Sequence, residues 1–65
     1  MVKVNGEIHR NLSGLTFREA LHQLNYPEMY IAVECNGTIV PKKDYDLRVI
    51  QDGDQIEVVR FVGGG

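Results

Sequence analysis

The chain has 65 residues, seven basic and nine acidic side chains, a formal charge of −2 and an apolar content of 43%. That length holds one domain, and a domain this small buries only ~60% of the surface its unfolded chain exposes, so it has little room for a deep catalytic cleft. Charges alternate in sign through Lys3, Glu7, Arg10, Arg18 and Glu19, which leaves no basic stripe for nucleic acid.

Residues 2–5 alternate Val-Lys-Val-Asn, the period of a half-buried strand. Asn5-Gly6 accepts the positive φ angles of a tight hairpin, so the chain reverses there. On the returning strand Ile8 and Leu12 are expected to face the core. Ser13-Gly14-Leu15 breaks this strand. Thr16 stands three residues before Glu19, a capping-box spacing. Phe17, Ala20, Leu21 and Leu24 then recur as one apolar stripe, which predicts a short helix over 17–25. Pro27 bars its continuation.

Residues 31–35, Ile-Ala-Val-Glu-Cys, read as a third strand, and Asn36-Gly37 turns it into a short strand at 38–40, ended by Pro41. Lys42-Lys43, the largest cationic cluster, runs into Asp44 and Asp46 as a solvated, turn-rich loop, with Tyr45 or Leu47 folded inward. Val49-Ile50 adds a little extended structure, and Asp52-Gly53-Asp54 is a turn. The last strand is expected over 55–60, with Ile56 and Val58 inward and Glu57 and Val59 outward.

Strand, strand, helix, strand, strand, strand leaves the helix as the only cover for one sheet face. The compact solution is an α+β domain with one helix packed across a mixed four- to five-stranded sheet. A right-handed crossover places the first and last strands side by side, parallel and central, which is the β-grasp arrangement. The expected division is a single domain over 1–62 and a flexible tail over 63–65.

Chemistry-bearing residues are few. Cys35 is the single cysteine and alternates with Val33 and Ile31 as a small core hydrophobe. It forms no intrachain disulfide, and a small domain without disulfides fits a reducing compartment. Neither His9 nor His22 has a partner at catalytic or metal-ligand spacing, and His22 is expected to face solvent. No metal site is expected. No apolar run nears the ~20 residues of a membrane span, the N-terminus does not pattern as a signal peptide, and the expected location is the cytoplasm. Without a phosphate-binding glycine loop, the chain is expected to hold no cofactor of its own.

The end is the distinctive part. Gly63-Gly64-Gly65 follows Phe61-Val62 with no polar spacer. Glycines are costly to order, and three of them reach ~10 Å when extended. An α-carboxylate, with a pKa of ~3.3–3.7, is ionised at neutral pH and a poor electrophile. Adenylation by ATP makes its carbonyl attackable, and attack by a sulfur donor leaves a thiocarboxylate. Glycines 63 and 64 would thread a partner's narrow channel, and Gly65 would be the reacting residue. Alternation also places Val59 and Phe61 on the sheet face away from the helix, with Ala32. There Val59, Phe61 and Val62 form a candidate docking patch beside the tail; the alternative is that Phe61 folds over the sheet edge as a lid.

Along its whole length the chain resembles the ThiS family, the sulfur carrier proteins of thiamine biosynthesis. The resemblance is carried by Val4-Asn5-Gly6, by Asn36-Gly37-Thr38-Ile39-Val40-Pro41-Lys42, by Asp52-Gly53-Asp54-Gln55-Ile56 and by the closing Gly63-Gly64-Gly65. Gly64 and Gly65 match the family's diglycine, while Cys35 stands where an aliphatic residue is expected. The resemblance implies a β-grasp fold and a protein co-substrate rather than an enzyme. Its implied partners are an ATP-using adenylyltransferase of the ubiquitin-activating type, a sulfur donor protein and thiazole synthase. The small subunit of molybdopterin synthase and a ubiquitin-like protein modifier share the fold and the glycine ending and remain alternatives, as does a plain binding module.

Overall fold

A computed structural model describes residues 1–62; the expected flexible tail, 63–65, lies outside the described residues. Strands β1 (Val2–Val4) and β2 (Glu7–His9) precede helix α1 (Phe17–Gln23). Strands β3 (Ile31–Cys35) and β4 (Thr38–Ile39), a 3-10 turn at Lys42–Asp44 and strand β5 (Gln55–Arg60) follow. The strands form one five-stranded sheet in the order β2-β1-β5-β3-β4. β1 and β5 run parallel at its centre, and the remaining pairs are antiparallel. This is the β-grasp arrangement expected from the element order.

Local chemistry accounts for each element. Asn5 and Gly6 take φ of 51° and 83°, and Asn36 and Gly37 take 53° and 85°, so both hairpins turn through two left-handed residues. The capping box forms: Thr16 Oγ1 accepts from the Glu19 N–H at 3.1 Å, and the Thr16 N–H donates to Glu19 Oε1 at 2.9 Å. Phe17, Ala20 and Leu21 are buried against the sheet with Val33, Ile56 and Val58.

The helix stops earlier than its apolar stripe suggests. Asn25 turns left-handed at φ 65°, its N–H bonding the His22 carbonyl at 3.0 Å, and the Tyr26 N–H bonds the Leu21 carbonyl at 2.9 Å. These two bonds close a Schellman motif, which satisfies the carbonyls that the helix end leaves open. Pro27 comes too late to be the terminator.

Three further expectations are corrected. Ile8 stands 54% exposed, because β1 pairs Lys3 with Ile8 and puts both on the outer sheet face. Leu12 reaches the core, but from beyond β2, a strand of only three residues. In the loop after β4, where either Tyr45 or Leu47 is expected to fold inward, Tyr45 does so and Leu47 remains 75% exposed, as the expectation allows. Val40 lies outside β4, although it is buried and its N–H bonds the Val33 carbonyl at 2.8 Å.

The two hairpin asparagines also tie the centre of the sheet together. β1 ends beside Ile56, so β5 runs on past its parallel partner. There the Asn5 side chain replaces the missing strand: the Val58 N–H donates to Asn5 Oδ1 at 2.8 Å, and Asn5 Nδ2 donates to the Val58 carbonyl at 3.2 Å. Asn36 does the same on the other side, accepting from the Gln55 N–H at 3.0 Å. Removing a partner from part-buried backbone costs the desolvation of the orphaned groups. Asn5→Ala, which also puts an alanine in a left-handed position, should cost about 2 kcal/mol in urea unfolding. That corresponds to a fall of roughly 8–16 °C in melting temperature for a domain of this size.

Candidate functional site

The site suggested by the sequence lies where β5 hands over to the glycine tail. Ile56 and Val58 point into the core, as the alternation predicts, and Glu57 and Val59 point out. Val59 is 57% exposed and stands directly opposite Ala32 on β3. Val62 is almost fully exposed. Gly63, Gly64 and Gly65 lie outside the described residues.

Phe61 combines the two alternatives drawn for it. It stays about half exposed beside Val59, yet its ring rests edge-on against Tyr30, with centroids 6.2 Å apart and planes at 84°. Its N–H bonds the Tyr30 carbonyl at 3.0 Å, which extends the β3–β5 pairing one step beyond Ile31 and Arg60. Tyr30 holds φ 62°, a left-handed conformation that is strained for a bulky side chain. Nothing in the sequence marks Tyr30 for this role, since an aromatic residue before a strand carries no signal for positive φ.

A second feature escapes the sequence because it depends on register. Glu34 on β3 and Glu57 on β5 lie directly opposite each other on the outer face, with Ile39 beyond Glu34. Like charges in that position destabilise a sheet. The outer face therefore has an acidic centre flanked by apolar side chains: Val59, Ala32 and Phe61 towards the tail, Ile39 and Ile8 towards the edges.

The remaining candidates have structural roles. Cys35 is buried in the core, and burial, followed by the charge of Asp54, pushes its thiol pKa up. The thiol is therefore held in its unreactive protonated form at neutral pH. His22 faces solvent and His9 is half-buried. Among the described residues there is no cluster of three His, Cys, Asp or Glu side chains that would hold a metal, and no helix is long and apolar enough to cross a membrane. Asp54 braces the Gln51–Asp54 turn, its carboxylate accepting from the Gln51 N–H at 2.9 Å.

One helix held across a mixed sheet, with a parallel central pair whose last strand leads into a glycine tail, defines a ubiquitin-like β-grasp protein. Within that class the chain belongs to the ThiS family, whose sequence model matches residues 1–65. It is 33% identical over 61 residues to the sulfur carrier protein ThiS of Escherichia coli, covering 94% of this chain and 92% of that one. The crystal structure of the thiamine biosynthesis protein ThiS from Geobacter metallireducens superposes with a TM-score of 0.79 at 31% identity, covering 98% of this chain and 97% of that chain. The thiazole synthase of Magnetococcus marinus is 41% identical over 64 residues, 98% of this chain. The chain spans only about a fifth of that relative's length, 20%, and 19% of the thiazole synthase of Paramagnetospirillum magneticum. Membership of the ThiS family is thus the frame in which the site is read.

The acidic pair supplies a test of the outer face. Glu57→Gln removes the repulsion with Glu34 and should raise stability by up to about 0.5 kcal/mol. If the face docks a basic partner surface, the same variant should weaken that binding at low salt and lose the difference at high salt, as read by calorimetry.

Proposed function

We propose that this chain is a protein co-substrate whose Gly65 carboxylate is activated and loaded with sulfur by other enzymes. The observation that carries this reading is the end-to-end match to the ThiS family, which includes the closing glycines that continue from the central strand. In the first step a carboxylate oxygen of Gly65 attacks the α-phosphorus of ATP on an adenylyltransferase, and pyrophosphate leaves. A sulfide equivalent then attacks the carbonyl and AMP departs, which leaves –C(=O)S⁻. Where the donor is a protein persulfide, a thiol must reduce the resulting acyl disulfide. ATP is held by the adenylyltransferase in a closed, water-poor site, and this chain supplies neither base nor nucleophile.

The loaded carrier then delivers sulfur to thiazole synthase for the thiazole ring of thiamine. The thiazole synthases of Magnetococcus marinus and Paramagnetospirillum magneticum, which carry a segment similar to this chain within their own sequence, support that recipient. Docking uses the outer face at Val59, Phe61 and Val62, where apolar side chains stand beside the root of the tail. The Tyr30–Phe61 contact holds Phe61 in place two residues before the glycines, beside the patch a partner would cover.

Intact-mass measurement tests the reading. Protein from thiamine-starved cells should contain a fraction in which one oxygen is replaced by sulfur. Deleting Gly65 should abolish that fraction and leave the melting temperature unchanged, because among the described residues the buried core ends at Val58. High-mass conjugates to target lysines would instead indicate a protein modifier, and unmodified protein alone would count against both.

A further inference from the structure

Val59 and Phe61 form only one end of the outer sheet face. Two residues before Val59 on β5 stands Glu57, opposite Glu57 on β3 stands Glu34, and beyond Glu34 on β4 stands Ile39. All of these side chains are exposed, as is Ala32 opposite Val59. At the rise of an extended strand, Glu57 lies about 13 Å from Phe61. One continuous surface therefore runs from the root of the tail, over apolar side chains, to a pair of carboxylates and on to Ile39.

The two carboxylates have no charged partner within the domain. Among the described residues neither forms an ion pair. Lys3 is the only lysine or arginine that the strands put on this face; Arg60 pairs with the inward Ile31 and lies over the Tyr26 ring. Lys3 stands opposite Gln55 on β1, and β5 separates it from Glu34 by two strand spacings, about 10 Å. Directly opposed residues have Cβ atoms only ~5 Å apart, so both carboxylates reach a single cation placed above them. The pair destabilises the free sheet, and an incoming cation removes that cost as it binds.

The chemistry at the tail says which partner brings a cation. In the function proposed above, an enzyme draws the anionic Gly65 carboxylate up to the triphosphate of ATP. A site that brings two anions together needs positive charge around it. The chain that approaches it has a formal charge of −2 and an acidic face continuous with the tail. A second copy of this chain matches less well: it would cover the root of the tail and add two more carboxylates with its one Lys3. We propose that Glu34 and Glu57 together seat one lysine or arginine side chain of the adenylyltransferase, with Ile39 and Val59 packing on the partner to either side. The partner's identity rests on the function proposed above; the unmatched charge of the face does not.

Binding to the immobilised adenylyltransferase of the same organism, measured without ATP, tests the seat. Glu34→Gln and Glu57→Gln should each raise Kd by about tenfold, the loss of one hydrogen bond to a charged group. The double variant should be little weaker than either single one, because the two carboxylates share one cation. Glu7→Gln removes the same charge from the opposite sheet face, beside the buried Val4, and should leave Kd unchanged. Melting temperatures no lower than wild type would show that weaker binding in the Glu34 and Glu57 variants is not unfolding. No binding of the wild-type chain, an unchanged Kd in both single variants, fully additive losses, or an equal loss in Glu7→Gln would overturn the proposal. Sedimentation equilibrium should find a monomer; a dimer that Glu57→Gln dissociates would assign the face to a second copy and overturn it as well. Deleting Gly65 should leave the differences in Kd in place, so failure of the seat and failure of sulfur loading are read separately.

Discussion

The structure depends on the backbone of one strand. β5 lies in the centre of the sheet, parallel to β1 on one side and antiparallel to β3 on the other, and it supplies Ile56 and Val58 to the core. Its peptide groups must be paired on both flanks, since buried unpaired backbone is costly. The short neighbouring strands do not reach far enough to do this alone. Asn5 and Asn36 complete the pairing from the two hairpin turns, each in a left-handed conformation that asparagine tolerates, and each with its side chain bonded to β5. The turns that reverse the outer hairpins thereby also hold the central strand.

The same strand leads directly into the glycines, which links the rigidity of the domain to the use of its end. The proposed role, a carrier that is a substrate for other enzymes, needs a fixed body and an accessible terminus. The inner half of β5 serves the first requirement. The outer half bears Val59 and continues to Phe61, whose ring rests against the strained Tyr30 and whose N–H bonds the Tyr30 carbonyl. The opposed carboxylates of Glu34 and Glu57 show that the outer face is not arranged for stability alone. A face that tolerates like charges between apolar side chains suits a surface that is covered only during encounters with partners.

Much of this was legible in the sequence because it is written in local rules. The Asn-Gly pairs specify two-residue turns, Thr16 and Glu19 specify the helix start, and the alternation over 55–60 gives both the span and the facing of β5. What escaped is set by pairing or by distant contacts. Ile8 is apolar, yet the register with Lys3 turns it outward. Tyr45 and Leu47 are equivalent as patterns, and only the 3-10 turn at Lys42–Asp44 decides which one enters the core. Asn25, not Pro27, ends the helix, through a left-handed cap that leaves no apolar signature. At the candidate site, Val59 and Phe61 follow from alternation, whereas Tyr30 and the Glu34–Glu57 pair arise from segments brought together by the fold.

The central claim is that another enzyme activates the terminal carboxylate of Gly65 on phosphorus and then replaces one of its oxygens with sulfur. Isotope transfer tests this most directly. If the Gly65 carboxylate carries heavy oxygen and the protein is incubated with its adenylyltransferase, ATP and a sulfide source, each turnover should release AMP containing one heavy oxygen, matched by one sulfur gained on the protein. Unlabelled AMP, or sulfur gained elsewhere on a chain that keeps both heavy oxygens, would contradict the account.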